Sequence, residues 1–262
     1  MNLFHKISLR YFSLFVVTSL VLVHNSHAQI QNSESIKILF IGNSYTSAHN
    51  IPKIISDLAK ADGVNIEVDM VTPGGATFQS HLSNQSIPAK LSEKKWNYVV
   101  LQEQSQKMAF SDMQVQSDSF APAKKLVSLI HGNARDAKVI FYNTWGRKNG
   151  DQDNCKIMRE ICTYDGMQSR IDKNYRAIAL ETKSLLFPAG KIWRKIKTNY
   201  PNIELYEADG SHPSQAGAYL VAYSFYKILS YSKSSANLDV TNLDKNTAQL
   251  IRNAVDRVLL EK

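Results

Sequence analysis

The chain has 262 residues, 44% of them hydrophobic and 21% charged, with a formal net charge of +8. This is globular composition, so disorder, collagen and coiled coil are excluded as whole-chain readings, and 11 glycines and 7 prolines are too few for a low-complexity protein. The lysines and arginines are scattered, with no run beyond pairs such as Lys94-Lys95 and Lys124-Lys125, which fits a solvated surface and not a nucleic-acid footprint.

Residues 1–28 read as a secretory signal peptide. His5, Lys6 and Arg10 make a basic start, and Tyr11 to Val23 is an apolar run too short to span a bilayer. Ser26-His27-Ala28 then places small residues where a signal peptidase cuts. Residues 29–262 are expected to be exported, periplasmic or secreted, as one domain with no stable membrane insertion after cleavage.

Ile36 to Ile41 is a short apolar run, the pattern of a buried strand. Asn50 can cap a helix carrying Ile51, Ile54, Ile55, Leu58 and Ala59 at helical spacing, stopped by Gly63. Ile66 to Val71 and Tyr98 to Leu101 read as strands two and three. A helix over Ala121 to His131, ended by Gly132, leads to strand four at Val139 to Tyr142. Asp151 to Gly166 reads as a long polar loop holding both cysteines. Export into an oxidising compartment predicts a local Cys155–Cys162 disulfide. Met167, Ile171, Tyr175 and Ile178 mark the next helix, Leu185 to Phe187 a short strand, and Lys191 to Lys197 a short helix. A polar loop, Glu207 to Ser214, precedes an apolar helix from Gln215 to Leu229, a Ser-rich linker from Ser230 to Ala236, and a last amphipathic helix. Strands alternating with helices predict a three-layer α/β/α sandwich on a parallel sheet of about five strands. Its active site should lie outside the carboxyl ends of the strands.

Two of those loops carry chemistry. Gly42-Asn43-Ser44 follows the first strand, so a sharp turn leaves the Ser44 hydroxyl exposed and its amide free to donate at a helix start, as a nucleophile requires. In Asp209-Gly210-Ser211-His212-Pro213, the spacing lets Asp209 hold one ring nitrogen of His212 while the other serves as general base. His81, after Gly74-Gly75, is expected to pack locally. No phosphate-binding glycine loop, Gly-x-Ser-x-Gly elbow or metal-ligand spacing occurs, so neither cofactor nor metal is expected.

Gly-Asn-Ser after strand one together with Asp-x-x-His-Pro before an apolar helix resembles the SGNH (GDSL-like) hydrolase family, over nearly all of residues 29–262. The blocks Leu101 to Ser105, Thr144 to Gly146 and Asp209 to Pro213 resemble a secreted bacterial subtype of it. The resemblance implies a flavodoxin-like sandwich and a Ser44–His212–Asp209 triad. It also implies an oxyanion hole built from the amides of Ser44 and Gly75, the latter in the block Pro73-Gly74-Gly75-Ala76-Thr77. Two departures stand out. Asn43 replaces the commoner Asp. The third block, which usually supplies an asparagine donor, here reads Gln102-Glu103-Gln104-Ser105-Gln106. Ungapped alignment points to Gln106, and nearness to the strand end points to Gln104, which we take as the donor. Asn43 is expected to line the substrate cleft, and Trp145, after strand four, to sit in the core or, as the alternative, to line that cleft. The implied activity is a serine esterase acting on small or glycan esters, O-acetyl groups included. The alternatives are an O-acyltransferase on surface glycans and a glycan-binding domain with a decayed site.

Overall fold

The computed structural model describes residues 35–230 and 240–260. The expected signal peptide, and the expected linker beyond Ser230, lie outside the described residues. In chain order the elements are β1 (Ile36–Ile41), α1 (Ser44–Ser47), α2 (Ile51–Ala61), β2 (Ile66–Val71), α3 (Phe78–Leu82), α4 (Ser86–Glu93) and β3 (Tyr98–Leu101). There follow α5 (Asp112–Val115), a π turn at Gln116–Phe120, α6 (Ala121–Asn133), β4 (Lys138–Tyr142) and α7 (Tyr164–Glu181). The described chain closes with β5 (Leu185–Phe187), α8 (Ala189–Asn199), α9 (Gln215–Ser230) and α10 (Lys245–Leu260).

The five strands form one parallel sheet in the order β2-β1-β3-β4-β5. Successive side chains of a strand point to opposite faces, and both faces are covered at the centre of the sheet, which is why β1, β3 and β4 read as apolar runs while the edge strand β2 alternates, with Glu67 and Asp69. Ile38, Phe40, Val100, Ile140, Tyr142 and Phe187 join the core under α2, α8, α9 and α10. Leu39, Ile41, Val99, Leu101, Val139 and Phe141 join the core under α3, α4, α6 and α7. The expected three-layer architecture is therefore what the chain adopts.

Two boundaries differ from expectation. The helix over Ala121 does not stop at Gly132 but runs to Asn133. The cysteine loop ends at Thr163, because the Thr163 hydroxyl accepts from the Gly166 amide at 3.2 Å and so caps α7 three residues early. Within that loop Cys155 and Cys162 are joined as a disulfide.

The strand order fixes where a ligand can sit. β1 is flanked by β2 on one side and β3 on the other, so chain direction across the sheet reverses at β1. A crevice opens beyond the carboxyl ends at such a reversal. The loops that meet there begin at Gly42, after β1, and at Gln102, after β3.

Candidate active site

Ser44 is the first residue of α1, three residues beyond the end of β1. The chain can turn there because Gly42 has no side chain: a Cβ would lie 2.6 Å from Gln102 Oε1 and 2.8 Å from Thr46 Oγ1. Asn43 is extended, and its Oδ1 accepts from the Tyr45 amide at 3.0 Å, so it is the cap that starts α1. The Ser44 amide is left without a partner among the described residues.

The Ser44 hydroxyl lies 2.8 Å from His212 Nε2, across 168 residues of sequence. His212 Nδ1 lies 2.5 Å from Asp209 Oδ2. The other Asp209 oxygen accepts the amides of Ser211 at 2.8 Å and His212 at 3.0 Å, so one carboxylate shapes the loop and orients the ring. Burial raises the Asp209 carboxyl, but the bonds from the His212 ring and the two amides outweigh it, and its pKa falls below the usual aspartate value. With the proton on Nδ1 directed at Asp209, the Nε2 lone pair faces the Ser44 hydroxyl. Such an arrangement can take a proton from a serine hydroxyl.

Several groups hold the His212 loop in place. Glu207 N donates to His212 O at 2.9 Å, and Lys148 N donates to Gly210 O at 2.8 Å. Tyr45 shares a 2.6 Å hydrogen bond with Ser211 Oγ, and His49 a 2.8 Å contact with Glu207. Trp145 donates to Ser211 O at 3.1 Å. Its ring is stacked between Tyr45, at 5.0 Å, and Trp193, at 4.0 Å.

Two expectations for the cleft are thereby corrected. Trp145 is fully buried in that stack and faces no substrate; it braces the loop that carries His212. Asn43 is buried as well, because Nδ2 donates to Ala76 O at 2.8 Å while Oδ1 caps α1. Its work is to tie the nucleophile turn to the glycine loop.

That loop brings Gly75 to the surface at φ +69°, a left-handed conformation that glycine adopts without strain. Its amide has no partner among the described residues. The three glutamines beyond β3 separate cleanly. Gln102 is buried: Oε1 accepts from Asn43 N and Thr46 Oγ1, each at 2.9 Å, and Nε2 donates to Glu103 O. Gln106 gives its Nε2 to Asp151 at 2.8 Å. Gln104 is half-buried, and its Nε2 reaches only neighbours in its own loop, Gln106 Oε1 at 3.0 Å and Ser105 Oγ at 3.3 Å.

Sequence reasoning passed over Glu103, which is fully buried between these groups. Its Oε1 accepts the Phe78 amide, which opens α3 beyond the glycine loop, at 3.0 Å, and the Gln104 amide at 2.7 Å. Burial pushes its carboxyl up to about 7 despite those two amides. An acidic residue directly continuing a buried apolar strand was the available signal. His81 packs as expected: it is buried, bonded through Nε2 to Gly42 O at 2.8 Å, and burial lowers its pKa. Among the described residues no group of His, Cys, Asp and Glu could hold a metal ion, and no helix is long and apolar enough to cross a membrane.

No family model matches the chain, and no curated protein matches it in sequence. Solved structures do. A DUF4886 family protein from Bacteroides uniformis superposes with a TM-score of 0.73 at 18% identity, covering 87% of this chain and 96% of that one. An acetyl xylan esterase from Geobacillus stearothermophilus gives 0.55 at 18% identity, over 77% of this chain and 97% of its own. A candidate GDSL-like lipase from Parabacteroides merdae gives 0.53 at 11% identity, over 74% and 94%. These likenesses show a shared fold: the chain has the architecture of the DUF4886 family protein, the acetyl xylan esterase and the GDSL-like lipase.

Proposed function

We propose that the chain is an exported serine esterase whose triad is Ser44, His212 and Asp209. The observation that carries this reading is the unbroken line of contacts from Ser44 Oγ through both nitrogens of the His212 ring to Asp209. Ser44 Oγ attacks the ester carbonyl carbon as its proton passes to His212 Nε2. The resulting oxyanion takes hydrogen bonds from the unpartnered amides of Ser44 and Gly75 and from the Gln104 carboxamide. Collapse expels the alcohol, which takes the proton from His212, and leaves an acyl group on Ser44. Water, deprotonated by His212, then releases the acid and restores the serine. Asp209 holds the ring in the required tautomer throughout.

O-acetylated glycans and small esters are the substrate class. Acetyl xylan esterases among the structural neighbours support it, as does the signal-peptide pattern that the sequence of residues 1–28 carries. The test is hydrolysis of p-nitrophenyl acetate and of acetylated xylo-oligosaccharides, with fluorophosphonate labelling of the protein. Turnover with label on Ser44 supports the reading. Label that persists undiminished in Ser44→Ala sinks it, and acetyl transfer to sugar hydroxyls in preference to water would make the chain an acyltransferase.

A further inference from the structure

Gln104 reaches the oxyanion on one more rotatable bond than an asparagine would. A donor on a longer arm stabilises developing charge only if it is already held in place, since ordering it during the reaction costs conformational entropy. It must also present its nitrogen. A carboxamide turned over would aim an acceptor oxygen at the oxyanion and repel it.

The loop resolves both points through Gln106. Gln104 Oε1 accepts the Gln106 main-chain amide at 3.0 Å, and Gln104 Nε2 donates to Gln106 Oε1 at 3.0 Å. Gln106 Nε2 donates in turn to Asp151 Oδ2 at 2.8 Å. The Asp151 side chain is fully buried, 45 residues away in sequence, on the loop after β4. Asn154 Nδ2 also donates to its Oδ2 at 2.8 Å, Arg147 Nη1 to its Oδ1 at 3.2 Å, and its own amide to Ile161 O at 2.8 Å. Burying a carboxylate is costly, and it is kept only where its partners are well made.

Resting on the oxyanion role given to Gln104 above, we propose that Asp151 and Gln106 are positioning residues that set the direction of the Gln104 carboxamide. A carboxylate only accepts, so the Gln106 nitrogen must face Asp151 and the Gln106 oxygen must face Gln104. The Gln106 main-chain amide, which only donates, holds the Gln104 oxygen, and the Gln106 side-chain oxygen so directed holds the Gln104 nitrogen. One of its hydrogens is spent there; the other, on the long 3.3 Å contact to Ser105 Oγ, is the one surrendered to the oxyanion. Asparagine at 151 offers either a donor or an acceptor, so the Gln106 carboxamide can turn and the side-chain half of this clamp on Gln104 loosens, while the Gln106 main-chain amide still holds the Gln104 oxygen.

The experiment is a pair of double-mutant cycles, Asp151→Asn and Gln106→Ala each made in wild-type and Gln104→Ala backgrounds, read as kcat and KM on p-nitrophenyl acetate. The proposal expects each single change to lower kcat roughly 10-fold with little effect on KM. In the Gln104→Ala background the same changes should do nothing further. A loss of equal size in both backgrounds overturns it, because the effect then does not pass through Gln104. Wild-type kcat in both single variants overturns it too. Gln106 is only partly buried, so Gln106→Ala keeps the test alive if Asp151→Asn fails to fold. A silent Gln104→Ala with Ser44 still essential would remove the oxyanion glutamine, and the relay with it, while leaving the esterase reading intact.

Discussion

In the proposed mechanism Ser44 and His212 act as one unit, since each is inert without the proton transfer between them. Ser44→Ala and His212→Ala should therefore each cost roughly 10³-fold or more in kcat, and the double variant little more than either single one. Steady-state kinetics on p-nitrophenyl acetate will show it; additive losses would mean that the two do not share a step. Glu103 poses a different question, because a buried carboxyl at about 7 costs stability whenever it is ionised. Its value is raised above the ordinary 4.5, so between those two values the folded chain binds a proton that the unfolded chain has lost. Stability should thus fall as pH rises through that window, by on the order of 3 kcal/mol from this group alone, and the loss is complete above it. Glu103→Gln keeps an oxygen for the Phe78 and Gln104 amides and removes the charge. Compared with wild type, it should gain more in Tm at about pH 8 than at about pH 5, measured by thermal melts at both. Asp209 runs the other way: with a depressed pKa it supports the fold above the ordinary aspartate range, and that support fades as pH drops through its folded value.

The disulfide loop is the element where local chain and site meet. Opening an eight-residue cross-linked loop frees about 2–3 kcal/mol of chain entropy in the unfolded state, so Cys155→Ser should lower Tm modestly without abolishing folding. It should also trim kcat, because Ile161 O, one residue from Cys162, holds the Asp151 amide. A thermal melt and a rate measurement on the same sample test both. All five strands could be read from sequence because four carry short apolar runs and the edge strand β2 alternates Ile66, Val68 and Met70 with Glu67 and Asp69. The helices α3 and α4 could not. Phe78–Leu82 spans barely more than one turn, too short to show a period, and Ser86–Glu93 carries Pro88, which the first turn of a helix tolerates but which reads as a break. The meeting of Ser44, His212 and Asp209 was readable because the serine sits in the turn after a strand and the other two share one loop. Asn43 and Trp145 were misplaced for the converse reason: what buries them is Ala76 O and Ser211 O, carbonyls contributed by distant loops that no local pattern announces. Glu103 and Asp151 escaped notice on the same grounds.

At the scale of the whole molecule, α9 is the keystone, buried along most of its length between the sheet and α10. Its Phe225 stacks on Phe187 of β5 and meets Phe40 of β1 and Tyr142 of β4 edge-on, so one ring spans three strands. Phe225→Ala should cost about 3–5 kcal/mol, read as a lower urea midpoint with an unchanged slope. The same helix begins three residues after His212, so the base arrives with it. The sheet receives its last strand at Phe187, whereas the serine and its histidine lie 168 residues apart. A chain made from its amino end thus carries Ser44 early and His212 late. Until the final fifth of the polypeptide has docked, every strand can be in place while Ser44 lacks the histidine that the proposed mechanism requires. On that mechanism hydrolysis is a certificate of completed assembly, and a premature stop anywhere before His212 is expected to yield a silent protein.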